Sequence, residues 1–194
     1  MIPDCEITVD NIEHMIHLFN TEYGVYDEVL IRLFGNADNT DHDNVFCRVG
    51  LLDLIYNTGI QRFNKGGIET VTNHIKNLAG RIDSAKKADG IDFELYKDLK
   101  KVEYAEVTST HGEENQIPVF ASKFLSFTNP DVYPIMDSIV KNAIGYSGDD
   151  YKEFYTKLSE FKTDKINKLN RNKKYSLKDI DKFLWMWGKD KSKG

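Results

Sequence analysis

Apolar residues recur at intervals of three and four along most of the chain, the period of a helix with one face turned to a core. Ile12, Met15, Ile16, Leu18 and Phe19 predict a helix from Asp10, with Asp10 as its N-cap. Val29, Leu30 and Leu33 mark a second, from about Tyr26 to Phe34, stopped by Gly35. Gly35–Asp43 (GNADNTDHD) is a polar loop, and Val45–Tyr56, apolar nearly all round, predicts a central buried helix. After the Asn57-Thr58-Gly59 turn, Ile68, Val71, Ile75, Leu78 and Ile82 give one amphipathic helix, and Asp92–Tyr104 a short one. Thr108–Gln116 is a polar loop. Pro118 suits the first turn of a helix reaching Phe127, with Phe120, Phe124 and Leu125 on its buried face. The chain then turns at Thr128-Asn129-Pro130-Asp131, extends through Tyr133-Pro134-Ile135-Met136, and begins a helix over Asp137–Ile144. Tyr151–Leu169 and Leu177–Gly188 complete the set, the last with Ser176 as N-cap. Strand-like alternation never persists, so the expected fold is all-α.

Composition narrows the class. With 194 residues, 40% hydrophobic and 23 aromatic side chains, the chain has material for one domain, or for one domain of two lobes, and too much for a disordered segment. The run Val49–Ile55, broken by Asp53, falls far short of the roughly 20 residues of a membrane span, and Met1-Ile2-Pro3-Asp4 lacks a basic leader. The cytoplasm is the expected location. Cys5 and Cys47 have no Cys or His at ligand spacing, so two free thiols are expected and no metal or cofactor is implied. The net charge of −5 is uneven: residues 152–194 carry +7 and the remainder −12. That basic quarter is either a solvated lysine-rich face or a surface for a polyanion.

Phe120–Tyr146 (FASKFLSFTNPDVYPIMDSIVKNAIGY) is the most informative stretch: a helix, a proline-containing turn and a short extended approach lead to Asp137 at the start of a second helix. An Asp there is an ordinary N-cap, its carboxylate accepting the free amides of the first turn. The segment also resembles the catalytic stretch of the helix-hairpin-helix DNA glycosylase superfamily. Ala121 and Asp137 are spaced as that family's helix alanine and catalytic Asp are, to within a residue. It is more similar still to the bacterial proteins of the 8-oxoguanine-glycosylase fold, through Phe120-Ala121-Ser122-Lys123-Phe124, Asn129-Pro130-Asp131 and Tyr133-Pro134-Ile135-Met136-Asp137-Ser138. Leu51–Thr58 resembles the family's central helix, whose polar C-terminal end reaches into DNA, which nominates Asn57 and Thr58.

The resemblance implies a two-lobed all-α fold, with lobe one near 45–125, lobe two made of 1–44 and 130–194, and a cleft at Asp137. It implies cleavage of the N-glycosidic bond of a damaged or modified base in double-stranded DNA, the Asp137 carboxylate stabilising the cationic sugar and orienting water. The chain departs from the family pattern twice. Where the family has a glycine-rich hairpin, Gly112–Val119 (GEENQIPV) is acidic, and where bifunctional members carry a Schiff-base lysine, this chain has Val119. The expected chemistry is therefore monofunctional. Lys123, one helical turn past Val119, either faces the cleft, to tune Asp137 or hold a phosphate, or snorkels at the surface.

Phe120, Tyr133, Trp185 and Trp187 are candidates to stack an extruded base, although aromatics at helical spacing usually build cores. Trp187 stands apart, because Trp185 and Trp187 point to different sides of one helix. Ser138 joins the substrate set, and Lys168, Arg171, Lys173 and Lys174 are the candidate DNA contacts. Asp41-His42-Asp43 and His111 with Glu113 and Glu114 carry ligand or acid–base residue types, but both fit polar loops. Two rivals accompany the glycosylase reading: a DNA- or protein-binding module that keeps the fold without catalysis, and an N-glycoside hydrolase acting on a small nucleoside.

Overall fold

The computed structural model describes residues 1–60, 66–102, 116–169 and 173–191. Among them helix is the dominant structure: α1 (Val9–Glu22), α2 (Gly24–Gly35), α3 (His42–Tyr56), α4 (Gly67–Asn77), α5 (Ala79–Ala85), α6 (Phe93–Lys100), α7 (Pro118–Thr128), α8 (Ser138–Ala143), α9 (Tyr151–Phe161), α10 (Asn167–Leu169) and α11 (Leu177–Lys191). The described residues contain no strand beyond one isolated bridge, Lys101 to Gln116. The protein is all-α, as the apolar spacing requires. None of its described helices is long and apolar enough to cross a membrane.

The chain divides into two units, Met1–Asp27 with Tyr133–Gly194, and Glu28–Val132. Residues 28–44, which the resemblance assigns to the same lobe as the termini, fall with 45–132. In the first unit α11 packs on α1 and α8. Ile12, Phe19, Val140, Phe154, Phe183 and Leu184 are among its buried apolar residues. Gly188 lets α11 approach α8 closely, since a Cβ there would lie 2.4 Å from Ile139 Cγ2. In the second unit Leu30, Val49, Leu52, Ile75, Leu95 and Phe124 are among the buried apolar residues, and the Phe34 ring meets Phe124 edge-on at 4.9 Å.

Several elements differ from expectation for identifiable reasons. Thr8, not Asp10, caps α1, its hydroxyl accepting the Asn11 amide at 3.2 Å, so the cap lies two residues earlier than predicted. The stripe Ile68–Ile82 breaks at Leu78 into α4 and α5. The helix predicted over 92–104 ends at Lys100, capped at its start by Asp92; residues 103–115, with most of the Thr108–Gln116 loop, lie outside the described residues. The helix predicted over 151–169 is interrupted by a π-helical turn, Lys162–Ile166. In the Gly35–Asp43 loop Asn39 is fully buried, and in α2 Leu33 is exposed while Leu30 and Phe34 are buried.

α3 departs most. It is not apolar all round toward a core: Val45, Arg48, Val49, Leu52 and Asp53 are buried, while Phe46 and Leu54 are 41% and 71% exposed. Positions 45, 48, 49 and 52 share one helical face, so geometry takes Arg48 inside and leaves two large apolar residues out. Asp41 caps this helix by accepting the Asn44 amide at 2.7 Å. His42 thereby lies in the helix rather than in a loop, its ring within 3.0 Å of a Glu69 oxygen.

Candidate active site

Asp137 is built into the first unit by its own backbone. Tyr133, Pro134, Ile135 and Met136 are all buried as they approach it without helical or strand structure. Within that approach the Tyr151 hydroxyl donates to the Pro134 carbonyl at 2.7 Å, a buried bond that ties it to the start of α9. Asp137 is extended (φ −116, ψ 169) and its Oδ1 accepts the Val140 amide at 2.9 Å, which starts α8. At the other end of that short helix the Ala143 carbonyl accepts the Ile2 amide at 2.8 Å. The carboxylate is half-buried and Ser138 is exposed. Apart from the cap bond, the Asp137 carboxylate makes no other hydrogen bond or ion pair among the described residues. A carboxylate fixed through one oxygen and partly open to solvent is able to act on a developing cation or on a water.

Lys123 belongs to the second unit, in α7, whose residues Phe120 to Thr128 are all buried. It is 7% exposed, with its ammonium 4.6 Å from the Tyr56 ring centroid. This corrects the snorkelling alternative: the side chain is inside, and a ring face partly replaces its water. Ser122 and Thr128 donate their hydroxyls to the Val119 and Phe124 carbonyls of the same helix. The Asn-Pro-Asp turn that follows has a structural role: the Asn129 amide donates to the Ala85 and Ala88 carbonyls, both at 3.0 Å, closing the C-terminal end of α5. Beside it lies an open polar cavity of about 370 Å³, lined by Lys86, Lys87, Asp89, Asn129 and Asp131 among others.

The other candidates fall into three groups. Phe120 and Tyr133 are wholly buried, the former 5.7 Å from Phe124, in keeping with aromatics that build cores. Trp187 is also buried, 9% exposed, and its indole N–H donates to Glu6 Oε2 at 2.5 Å; Trp185, on the other side of α11, meets Phe19 and Tyr23 edge-on. At the end of α3, Asn57 is exposed in the left-handed region (φ 47), and the Thr58 hydroxyl donates to Asp53 at 2.5 Å. Among the basic residues, Lys168 pairs with Asp164 at 3.2 Å, Lys173 pairs with Glu13 at 2.5 Å, and Lys174 is exposed. Arg171, His111, Glu113 and Glu114 lie outside the described residues, as do Gly112 and Asn115 of the acidic stretch.

Sequence reasoning missed the buried charges. The Arg48 guanidinium donates to Asn39 Oδ1 at 2.9 Å and to Asn44 Oδ1 at 3.1 Å, and lies over the Phe34 and Phe124 rings. Asp53 accepts the Ile60 amide at 3.0 Å as well as the Thr58 hydroxyl, which fixes the turn out of α3. Asp27 in α2 meets Lys178 of α11 at 3.3 Å, both nearly inaccessible. The usable signal was positional: Arg48 falls on the 45/48/49/52 stripe that the apolar residues define.

The described helices define an all-α protein, and comparison with other proteins supplies the family. Residues 10–132 match the HI_0787_N family model, described as an N-terminal domain, and the chain belongs to that family. The matched stretch ends at Val132, where the second unit also ends, so Asp137 lies beyond it. The chain is similar to an uncharacterized protein of Haemophilus influenzae, 27% identical over 189 residues that cover 88% of this chain and 83% of the relative. No solved structure matches the chain at significance.

Proposed function

We propose that the protein is a monofunctional DNA N-glycosylase of the helix-hairpin-helix, two-lobed glycosylase type, acting in the cytoplasm on a damaged or modified base. The observation that carries this reading is Asp137: a half-buried carboxylate at a helix N-cap, held through Oδ1 alone after a buried proline-containing approach. In the reaction the carboxylate stabilises the cationic sugar as the N-glycosidic bond breaks and orients the water that adds to it. Val119 stands where a bifunctional enzyme would need its lysine.

A panel of duplexes carrying different modified bases tests the reading. Base release should leave intact abasic sites that break only on alkaline treatment, and borohydride should trap no covalent adduct. A trapped adduct would assign the nucleophile to an amine and overturn the monofunctional mechanism. Release from free nucleosides but from no duplex would favour the small-substrate hydrolase. The observation supporting that second reading is the charge of −12 outside residues 152–194, a surface that suits a small nucleoside better than a polyanion.

A further inference from the structure

The first 31 residues contain seven carboxylates and neither lysine nor arginine, whereas residues 152–194 carry +7. Within the first unit four of those acids sit on cations of that basic quarter, the buried Asp27 on Lys178 and three others at the surface. Asp4 meets Lys165 of the π-helical turn at 2.7 Å, Glu6 meets Lys191 at the end of α11 at 3.2 Å, and Glu13 meets Lys173 ahead of α11 at 2.5 Å. Ten residues of one acidic segment thus gather lysines from three separate stretches.

We propose that Lys165, Lys173 and Lys191 form a surface for the phosphate backbone of duplex DNA, and that the acidic segment Asp4–Glu13 is its built-in competitor. The inference rests on the DNA reading above and adds the regulation of that contact. Exposure decides between an exchangeable cover and a structural clamp. The lysine side chains are 43%, 50% and 55% exposed and their acids 75%, 41% and 30%, a range in which water screens an ion pair and holding two long side chains together offsets most of its attraction. A phosphate displaces such a carboxylate readily. The Lys178–Asp27 pair of the same unit, 9% and 2% exposed, offers no such exchange. Neutral donors also hold the segment: the Trp187 indole donates to Glu6 and the Tyr175 hydroxyl to Glu13, each at 2.5 Å. An amide at either position keeps an acceptor for them, so removing the charge does not remove the anchor.

The competitor leaves a signature in salt dependence. When DNA expels a carboxylate, that carboxylate recruits a cation from solution, and net counterion release falls below one per phosphate contact. Binding of an unmodified duplex oligonucleotide, followed by fluorescence anisotropy across a salt series, should compare wild type with the triple variant Asp4→Asn, Glu6→Gln, Glu13→Gln. The variant should bind about tenfold more tightly at low salt, with a slope steeper by roughly two to three. Asp4→Asn alone, which alters only a highly exposed side chain, should give about a twofold gain, and thermal melting by circular dichroism verifies that both variants fold. If wild type binds and the variants match it in affinity and slope, the pairs are structural and the inference falls. If none of the proteins binds at low salt, the DNA reading falls with it. Binding that behaves as described, without base release from any modified duplex, would overturn the glycosylase reading and leave this surface standing.

Discussion

Arg48 in the second unit and the Asp27–Lys178 pair in the first are both charges taken out of water, and the protein accommodates them in opposite ways. Arg48 donates to neutral oxygens, those of Asn39 and Asn44 and the Asp38 carbonyl, and is flanked by two aromatic rings. Burial pulls its pKa down to about 10, which still leaves it charged at neutral pH. Its Nη1 has no hydrogen-bond partner among the described residues. Lys178 instead meets Asp27 directly, with Asp181 at 3.9 Å, and Lys182 lies 4.0 Å from Asp27. A planar, delocalised guanidinium tolerates acceptors without charge and stacks on rings, whereas a compact ammonium and a carboxylate need each other.

The largest effect should therefore come from breaking the pair. Asp27→Ala leaves Lys178 with a weakened set of partners in a buried position and should cost about 3–5 kcal/mol, read as a lower urea midpoint at unchanged slope. Arg48→Met keeps much of the volume and the contact with both rings while orphaning the Asn39 oxygen, so it should cost less, roughly 1–3 kcal/mol. Equal losses in the two variants would erase the distinction between charged and neutral accommodation.

Smaller effects belong to the surface. Lys173→Ala should change stability by less than about 1 kcal/mol, because the pair with Glu13 is half-exposed. The pH dependence has a definite sign. The Lys173 and Tyr175 hydrogen bonds hold Glu13 below its ordinary value of 4.5, and those from Trp187 and Lys191 do the same for Glu6. The folded form then binds fewer protons than the unfolded chain just below pH 4.5. Their stabilisation is complete above that value and is lost as pH falls through the lowered folded values. Urea midpoints measured as pH is lowered from 5 should fall less steeply in Glu13→Gln than in wild type. His42 behaves oppositely, since Asp43 and Glu69 raise it above 6.5. Its contribution is present below that value and fades as pH rises through the folded value, and Glu69→Gln should flatten that decline.

Particular residues show what was legible in the sequence. Spacing alone located α7, from Pro118 at its first turn to within one residue of its end at Thr128, and the Ser176 cap of α11. Asp137 as a helix cap followed from its place after Tyr133–Met136. Hydrophobic pattern misled at α3 because burial is decided by the helical face, and Arg48 and Asp53 share that face while Phe46 and Leu54 do not. The partners of Asp27 and Glu13 were beyond reach for another reason. They are contacts between residues more than 140 positions apart, which no local period encodes.

The central claim is that the Asp137 carboxylate does chemistry beyond capping α8, and Asp137→Asn separates the two roles. Asparagine is nearly isosteric and retains an oxygen for the Val140 amide, so folding and duplex binding should be unchanged. Single-turnover base release from a duplex that wild type processes should then fall by about 10²-fold or more. Equal release by the two proteins would reduce Asp137 to a cap and contradict the account.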